Sequence, residues 1–104
     1  MTGSPEAEVV DRADEGRLTI TEDGRTAELV YERDGDRLVL VHTGVPDELG
    51  GRGLGGRLVR AAVELAARDH LVVAPWCPFA RRWLREHPEA LGDVAVDWSW
   101  RPPA

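Results

Sequence analysis

The alternation of apolar and polar residues predicts an antiparallel meander in the first half of the chain. From Arg17 onward, apolar side chains recur at every second position, as in strands that bury one face and expose the other. These apolar residues are Leu18, Ile20, Ala27, Leu29 and Tyr31. Two Asp-Gly pairs, at 23–24 and 34–35, punctuate the runs. Asp-Gly favours a tight hairpin because both central residues of a type I′ turn need a positive φ.

The pattern changes after the second turn. In residues 37–43, Leu38 and Leu40 point to one face while Val39 and Val41 point to the other, which predicts a strand that is covered on both sides. A glycine-dense loop at 50–56 leads into apolar residues with helical spacing up to about Arg68. The short apolar run at 71–74 then predicts a buried strand. Strand, helix and strand together form a βαβ unit, whose two strands run parallel.

A second helix and an edge strand complete the predicted elements. Pro78 suits the first position of a helix, which makes Cys77 its N-cap. This helix should end at His87, because the residue before Pro88 disfavours helical geometry. Beyond it, residues 93–100 alternate and predict a strand at the edge of the sheet.

The chain of 104 residues corresponds to one domain of mixed α/β class. Residues 1–16 are polar and lack periodicity, so we expect a mobile N-terminal tail ahead of a single domain at 17–100.

Cys77 is the single cysteine, which excludes an internal disulfide. No leader or membrane-spanning pattern stands out, and the sequence predicts a cytoplasmic monomer with no membrane partner.

The charges narrow the classes of function further. All thirteen basic residues are arginine, so neither a Schiff-base lysine nor a P-loop lysine is present. The net charge of −6 argues against a nucleic-acid partner. Acidic residues exceed arginines in 1–48, while 49–104 are slightly basic. These halves would suit a cationic substrate and an anionic cofactor respectively, or they are simply solvated surface.

The glycine loop is the most specific chemical signal. Free N–H groups at a helix N-terminus bind phosphate, and glycines allow a phosphate to approach the backbone closely. A flexible connection is the alternative. Gly51, Gly53 and Gly56 also satisfy the dinucleotide fingerprint, which expects an Asp or Glu about 20 residues later. Residues 71–79 contain none, so a nicotinamide site is disfavoured.

Residues 45–56, VPDELGGRGLGG, resemble motif A of the GCN5-related N-acetyltransferases, V-P-x-x-x-[QR]-x-x-G-x-[GA]. Together with the segments 42–46, 75–79 and 85–89, they resemble the small YjdJ-like branch of that family. The resemblance implies a minimal form of the family's fold, in which an antiparallel hairpin sheet joins a βαβ unit and a second, C-terminal helix follows. It implies acetyl-CoA (coenzyme A) as the cofactor. The implied cofactor-binding residues are Thr43, Gly44, Val45, Gly50, Gly51, Arg52, Gly53, Leu54, Gly55 and Gly56.

The sequence departs from the family pattern at two positions. Gly50 stands where the motif has Gln or Arg, although Arg52 or Arg57 could supply the positive charge. Trp83 stands where the branch typically has a tyrosine, and an indole N–H is a donor that does not ionise usefully. A tyrosine acid is therefore absent from that position.

Cys77 and His42 are the candidate catalytic residues, and no metal site is expected. The resemblance places the thioester near Cys77, whose thiolate a helix N-terminus would stabilise. Cys77 would protonate the leaving thiolate or form an acyl-cysteine; the alternative is inert packing. His42 would act as base or water organiser for the amine; the alternative is a structural histidine sharing a face with Leu38 and Leu40.

The four tryptophans, Trp76, Trp83, Trp98 and Trp100, either line a substrate groove or, as we favour, pack in the core and tail.

The resemblance implies acetyl transfer from acetyl-CoA to the primary amine of a small molecule or protein. The oxyanion would be held by a backbone N–H near Val45. Direct attack is the preferred route, with acyl-Cys77 second. The alternative function is a non-catalytic module that binds CoA or acyl-CoA.

Overall fold

A five-stranded sheet forms the frame of the protein in the computed structural model, which describes residues 8–103. Its strands follow chain order, and all neighbours are antiparallel except β4 and β5, which are parallel. The strands are β1 (Val10–Arg12), β2 (Arg17–Glu22), β3 (Arg25–Asp34), β4 (Arg37–Gly44) and β5 (Val72–Pro75). This arrangement confirms the predicted mixed α/β fold, with a hairpin sheet joined to a βαβ unit.

Two α-helices accompany the sheet: α1 (Leu54–Arg68) connects β4 to β5, and α2 (Pro78–Glu86) follows β5. Short 3-10 turns occupy Ala13–Glu15, Asp47–Leu49 and Pro88–Leu91. As predicted, α1 reaches Arg68 and α2 begins at Pro78 with Cys77 as its N-cap. Neither helix is long and apolar enough to cross a bilayer, and this holds for all of the chain that the structure describes.

The two hairpin turns use glycine in different ways. Asp23 and Gly24 have φ values of 53° and 74°, as a type I′ turn requires. In the second turn β3 runs on through Asp34, and the loop is Gly35 and Asp36, of which only Gly35 has a positive φ. Both predicted hairpins are therefore present, the second displaced by one residue.

The prediction of a tail at residues 1–16 is wrong where the structure describes that segment. Val10–Arg12 form β1, which pairs with β2 so that Val10 lies opposite Thr19. The Tyr31 hydroxyl donates a 2.6 Å hydrogen bond to Asp11, and burial together with this bond raises the pKa of Tyr31 to about 12. Three residues are too few to show periodicity, and pairing with β2 holds them in place. Residues 1–7 of the predicted tail lie outside the described residues.

The predicted edge strand at 93–100 is reduced to a single bridge. Val96 lies opposite Val73 on β5, where the N–H of Val73 bonds to Ala95 O and the N–H of Asp97 bonds to Val73 O. The Asp97 carboxylate then accepts bonds from Arg37 and from the N–H and hydroxyl of Ser99. These bonds turn the chain away from β5, because a side chain that captures a nearby N–H competes with the sheet ladder.

The core lies between the sheet and the two helices. Leu38 and Leu40 of β4 and Val73 of β5 belong to one buried cluster with residues of both α1 and α2. Side chains alternate along a strand, so the intervening residues face the opposite side of the sheet. Thr19, Val39 and Ala74 are buried there as well, so β4 is covered on both sides at Val39, as predicted. We call this side the open face of the sheet.

Candidate functional site

The start of α1 leaves main-chain amides without partners inside the helix. Gly53 is the N-cap, and the first helical hydrogen bond runs from the N–H of Arg57 to Gly53 O at 3.1 Å. The N–H groups of Leu54, Gly55 and Gly56 therefore have no acceptor within the helix. Since glycine has no side chain, Gly53 provides no cap for them. The helix end is a donor cluster at the positive end of the helix dipole.

The glycines of this loop meet two different requirements. Gly51 and Gly53 have φ values of 79° and 75°, and a Cβ at either would have open space around it. Gly55 and Gly56 instead allow α1 and α2 to approach closely. A Cβ there would lie 2.7 Å from Phe79 Cζ and 2.5 Å from Trp83 Nε1 respectively. Backbone conformation and helix packing both fix the shape of this corner.

A groove of about 370 Å³ runs between the loop, the start of α1 and one side of α2. We call it the glycine groove. Most of the predicted cofactor-binding residues line it, while Thr43, Gly44 and Arg52 do not. Sequence reasoning did not assign Leu49, Phe79 or Trp83 to it; the i, i+4 spacing of Phe79 and Trp83 on α2 was the available signal. The lining residues are Val45, Leu49, Gly50, Gly51, Gly53, Leu54, Gly55, Gly56, Phe79 and Trp83.

The arginines near the loop are engaged by carboxylates. Arg52 lies 3.0 Å from both Glu22 and Asp23 on the β2–β3 hairpin, and bonds to these two carboxylates raise its pKa. Arg57 lies 4.0 Å from Glu22 as well. An anionic ligand would compete with these carboxylates for either guanidinium.

The indole of Trp83 is oriented by its neighbours. Its ring stacks on His87 with a centroid distance of 4.2 Å, and the Arg60 guanidinium lies 5.3 Å from the ring centroid. Nδ1 of His87 is 2.9 Å from the main-chain oxygen of Trp83, as the predicted position of His87 at the helix end allows. The other tryptophans lie elsewhere: Trp76 and Trp100 are in edge contact, and Trp98 packs against Arg81 and Arg85.

A β-bulge in β4 sets the directions of His42 and Thr43. Tyr31 lies opposite Leu40, whereas Val30 lies opposite His42, so Val41 is an extra residue in β4. A bulge of this kind reverses the alternation of side chains beyond it. His42 consequently points to the open face, which excludes the alternative that it shares a face with Leu38 and Leu40.

Strand β4 extends beyond its partner β5. Their pairing ends at Leu40 and Pro75, and the last link is the N–H of Cys77 bonded to Leu40 O at 2.8 Å. Leu40 thus directs its main-chain groups toward β5. Main-chain groups alternate in direction along a strand, and the extra residue Val41 shifts this alternation by one. After Leu40, Thr43 is therefore the next residue whose main-chain groups face the β5 side. Its N–H and C=O therefore face the gap that opens between β4 and the start of α2.

Cys77 lies at this gap, on the helix side of the sheet. The residue is only 3% exposed, and its Sγ is 3.4 Å from Thr43 Oγ1. Thr43 points to the helix side because it follows His42, which points to the open face. The structure therefore brings Cys77 and Thr43 together, and it places the exposed His42 on the opposite face of the sheet.

Comparisons with known proteins identify the family of the chain. Residues 17–94 match the family model for GCN5-related N-acetyl-transferase. A solved structure, the NMR solution structure of a protein from Staphylococcus aureus described as a GCN5-like candidate N-acetyltransferase, superposes with a TM-score of 0.68 at 28% identity. It covers 96% of this chain and 100% of that one.

Curated relatives match over a shorter stretch. Protein NATD1 from chicken (Gallus gallus) and from mouse (Mus musculus) are each 36% identical over 63 residues, which is 60% of this chain. The match spans 57% of the length of each relative. The family match covers most of the chain and includes the glycine loop, β5 and α2. The chain therefore belongs to the GCN5-related N-acetyltransferase family of acyltransferase enzymes.

Proposed function

We propose that the chain transfers the acetyl group of acetyl-CoA to a primary amine. The observation that carries the proposal is the uncapped start of α1, which opens on a groove beside the gap where Thr43 and Cys77 meet. Acetyl-CoA is here the donor substrate, consumed in each turnover. Its identity and that of the amine are proposals, as is the assignment to the small YjdJ-like branch.

The residues present fit the two chemical parts of acetyl-CoA. The unpaired amides of Leu54, Gly55 and Gly56 suit a diphosphate, which needs several N–H donors. The apolar lining by Val45 and Phe79 suits the uncharged pantetheine arm. Thr43, Gly44 and Val45 form the end of β4 and its continuation, along which that arm would reach the gap beside β5.

Thr43 and Cys77 supply the chemistry at the gap. As the amine nitrogen attacks the carbonyl carbon, the oxyanion would accept a hydrogen bond from a main-chain N–H, and Thr43 directs its N–H there. The nitrogen of the tetrahedral intermediate then loses its second proton to solvent, the C–S bond breaks, and the departing thiolate takes a proton from the Cys77 thiol. Solvent returns a proton to Cys77. Direct attack suits the low exposure of Cys77 better than the acyl-cysteine route.

His42 would handle the proton of the amine. An alkylammonium with a pKa near 10.4 must lose a proton before it attacks, which costs about 4 to 5 kcal/mol at pH 7. His42 is exposed on the open face, beside Gly44, at whose Cβ position its Nε2 would lie 3.4 Å away. An amine that approaches from the open face would meet this imidazole, which would take the proton directly or through one water.

Two assays separate transfer from binding alone. Calorimetry with acetyl-CoA is expected to show binding, and its absence at millimolar ligand would contradict both an enzyme and a binding module. Release of free thiol is then measured against a panel of primary amines, including small polyamines and lysine-containing peptides. Amine-dependent release supports transfer. Binding with no release above background would support the non-catalytic CoA-binding module instead.

A further inference from the structure

The indole nitrogen of Trp83 lies against the start of α1. It would be only 2.5 Å from a Cβ built at Gly56, so the ring edge that carries Nε1 reaches the backbone of the helix's first turn. Both residues line the glycine groove. The groove therefore has a side-chain N–H from α2 beside the main-chain N–H groups of α1.

This N–H has no use within the part of the chain that the structure describes. No oxygen of residues 8–103 accepts a hydrogen bond from Trp83 Nε1. The atom is also not sealed from solvent, because no buried side-chain nitrogen or oxygen in those residues lacks a partner. An indole N–H is a donor only, so a ligand that satisfies it must offer an acceptor.

The ring is held in this orientation before any ligand arrives. The stack on His87, at an interplanar angle of 17°, and the Arg60 guanidinium limit rotation of the indole. The bond between His87 and the main-chain oxygen of Trp83 fixes His87 in turn. A donor whose side chain is already ordered loses little conformational entropy when it binds.

The groove also lacks the side chain that the family motif provides. Gly50 stands at the motif's Gln or Arg position. Arg52, the nearest replacement in sequence, is held by Glu22 and Asp23. The Trp83 N–H from α2 thus lies beside a loop whose own arginine is already paired with carboxylates.

We propose that Trp83 Nε1–H donates a hydrogen bond to the diphosphate of acetyl-CoA, in a groove that has Gly50 where the family motif has Gln or Arg. This inference rests on the proposed function. It assigns Trp83 to donor-substrate binding, with no part in the transfer itself.

The test compares Trp83→Phe with the unaltered protein on two ligands, with affinities measured by calorimetry or NMR titration. Acetyl-CoA carries the diphosphate, whereas S-acetylpantetheine lacks it. A hydrogen bond to a charged group is worth about tenfold in affinity or more. Trp83→Phe should therefore bind acetyl-CoA about tenfold more weakly and S-acetylpantetheine as the unaltered protein does. Trp76→Phe, which removes an exposed indole outside the groove, is the matched control and should change neither affinity.

A second variant moves the indole nitrogen without changing residue 83. In Gly56→Ala the new methyl group would displace the indole nitrogen, and the same selective loss is expected. Equal losses for both ligands, or unchanged affinity for acetyl-CoA in Trp83→Phe, would overturn the inference and leave the proposed function intact. A loss that disappears with 3′-dephospho-acetyl-CoA would overturn it too, because the acceptor would then be the 3′-phosphate. If the unaltered protein binds neither ligand, the proposed function fails together with the inference.

Discussion

The two α-helices of this protein begin in opposite surroundings. Helix α1 starts with a glycine N-cap whose loop is exposed, and its first amides border a groove. Helix α2 starts with Cys77, which is 3% exposed, and its first residue is Pro78, which has no N–H. Each helix end carries the same partial positive charge. At α1 this charge faces a groove that a ligand can enter, whereas at α2 it lies next to the buried thiol of Cys77.

The main-chain bonds explain this difference. The N–H of Cys77 is bonded to Leu40 O, and its C=O accepts the N–H of Arg81, so the start of α2 is tied to β4. Gly53 also accepts a helical bond through its C=O, but its lack of a side chain leaves the neighbouring amides without a cap. The proposed function accordingly has phosphate binding at the start of α1 and proton transfer at the start of α2.

Removing the Cys77 thiol is the change with the largest expected effect on this division. Cys77→Ala should lower kcat about 100-fold, the lower end of what a positioned proton donor contributes, because no other thiol is present in the chain. The Kd for acetyl-CoA should stay within about twofold, since the proposed phosphate site lies at the start of α1. Steady-state thiol release and calorimetry measure the two quantities. Unchanged kcat would remove Cys77 from the mechanism, and a large rise in Kd would break the division between the helix ends.

A pair of glycines gives a matched test of the α1 corner. Gly53 and Gly24 have φ values of 75° and 74°, and neither would have an atom within 4 Å of an added Cβ. Alanine at either position should cost about 1 to 2 kcal/mol of unfolding free energy, since both force a left-handed backbone. Only Gly53→Ala should also weaken acetyl-CoA binding, about tenfold, because only Gly53 borders the α1 amides.

Chemical denaturation measures the stability of both variants and calorimetry their affinity for acetyl-CoA. Equal affinities in Gly53→Ala and Gly24→Ala would show that the loop conformation does not matter for binding. The phosphate site would then have to lie elsewhere.

Glu22→Gln should have the smallest effect, in the opposite direction. Glu22 lies near both Arg52 and Arg57, so neutralising it removes a competitor for their charge. Exposed ion pairs contribute about 0.2 to 1 kcal/mol, so acetyl-CoA should bind up to about fivefold more tightly. The gain should shrink at high salt, which screens surface charges. Glu32→Gln, on the exposed part of β3, is the control and should leave the affinity unchanged; weaker binding in Glu22→Gln would contradict the competition.

The elements with a strong local signal could be predicted from the sequence. The Asp23-Gly24 turn, the helical spacing after the glycine loop and Pro78 at the start of α2 each appear in the structure as expected. The three-residue strand β1 could not be predicted from the sequence, because β1 is stabilised by its pairing with β2 and has no local signal of its own. Residues 93–100 have the opposite outcome. Their apolar and polar residues alternate as in a strand, but Asp97 turns the chain away from β5 after one bridge.

The site itself depends on details that no pattern reveals. The bulge at Val41 lies in a run of apolar residues that reads equally well in either register, yet it decides that His42 and Thr43 face opposite sides. The approach of Trp83 to Gly56 is likewise a matter of tertiary packing between α1 and α2. The glycine loop was visible in the sequence because its chemistry is local, whereas the partners that complete it come from α2.

Binding of acetyl-CoA at the α1 corner can be read directly from amide chemical shifts. In a ¹⁵N-labelled sample titrated with acetyl-CoA, the largest shift changes should fall on the amides of Leu54, Gly55 and Gly56. Titration with S-acetylpantetheine should produce smaller changes at these amides. Shift changes concentrated away from residues 50–56, or none at millimolar acetyl-CoA, would contradict the claim that these amides bind the diphosphate.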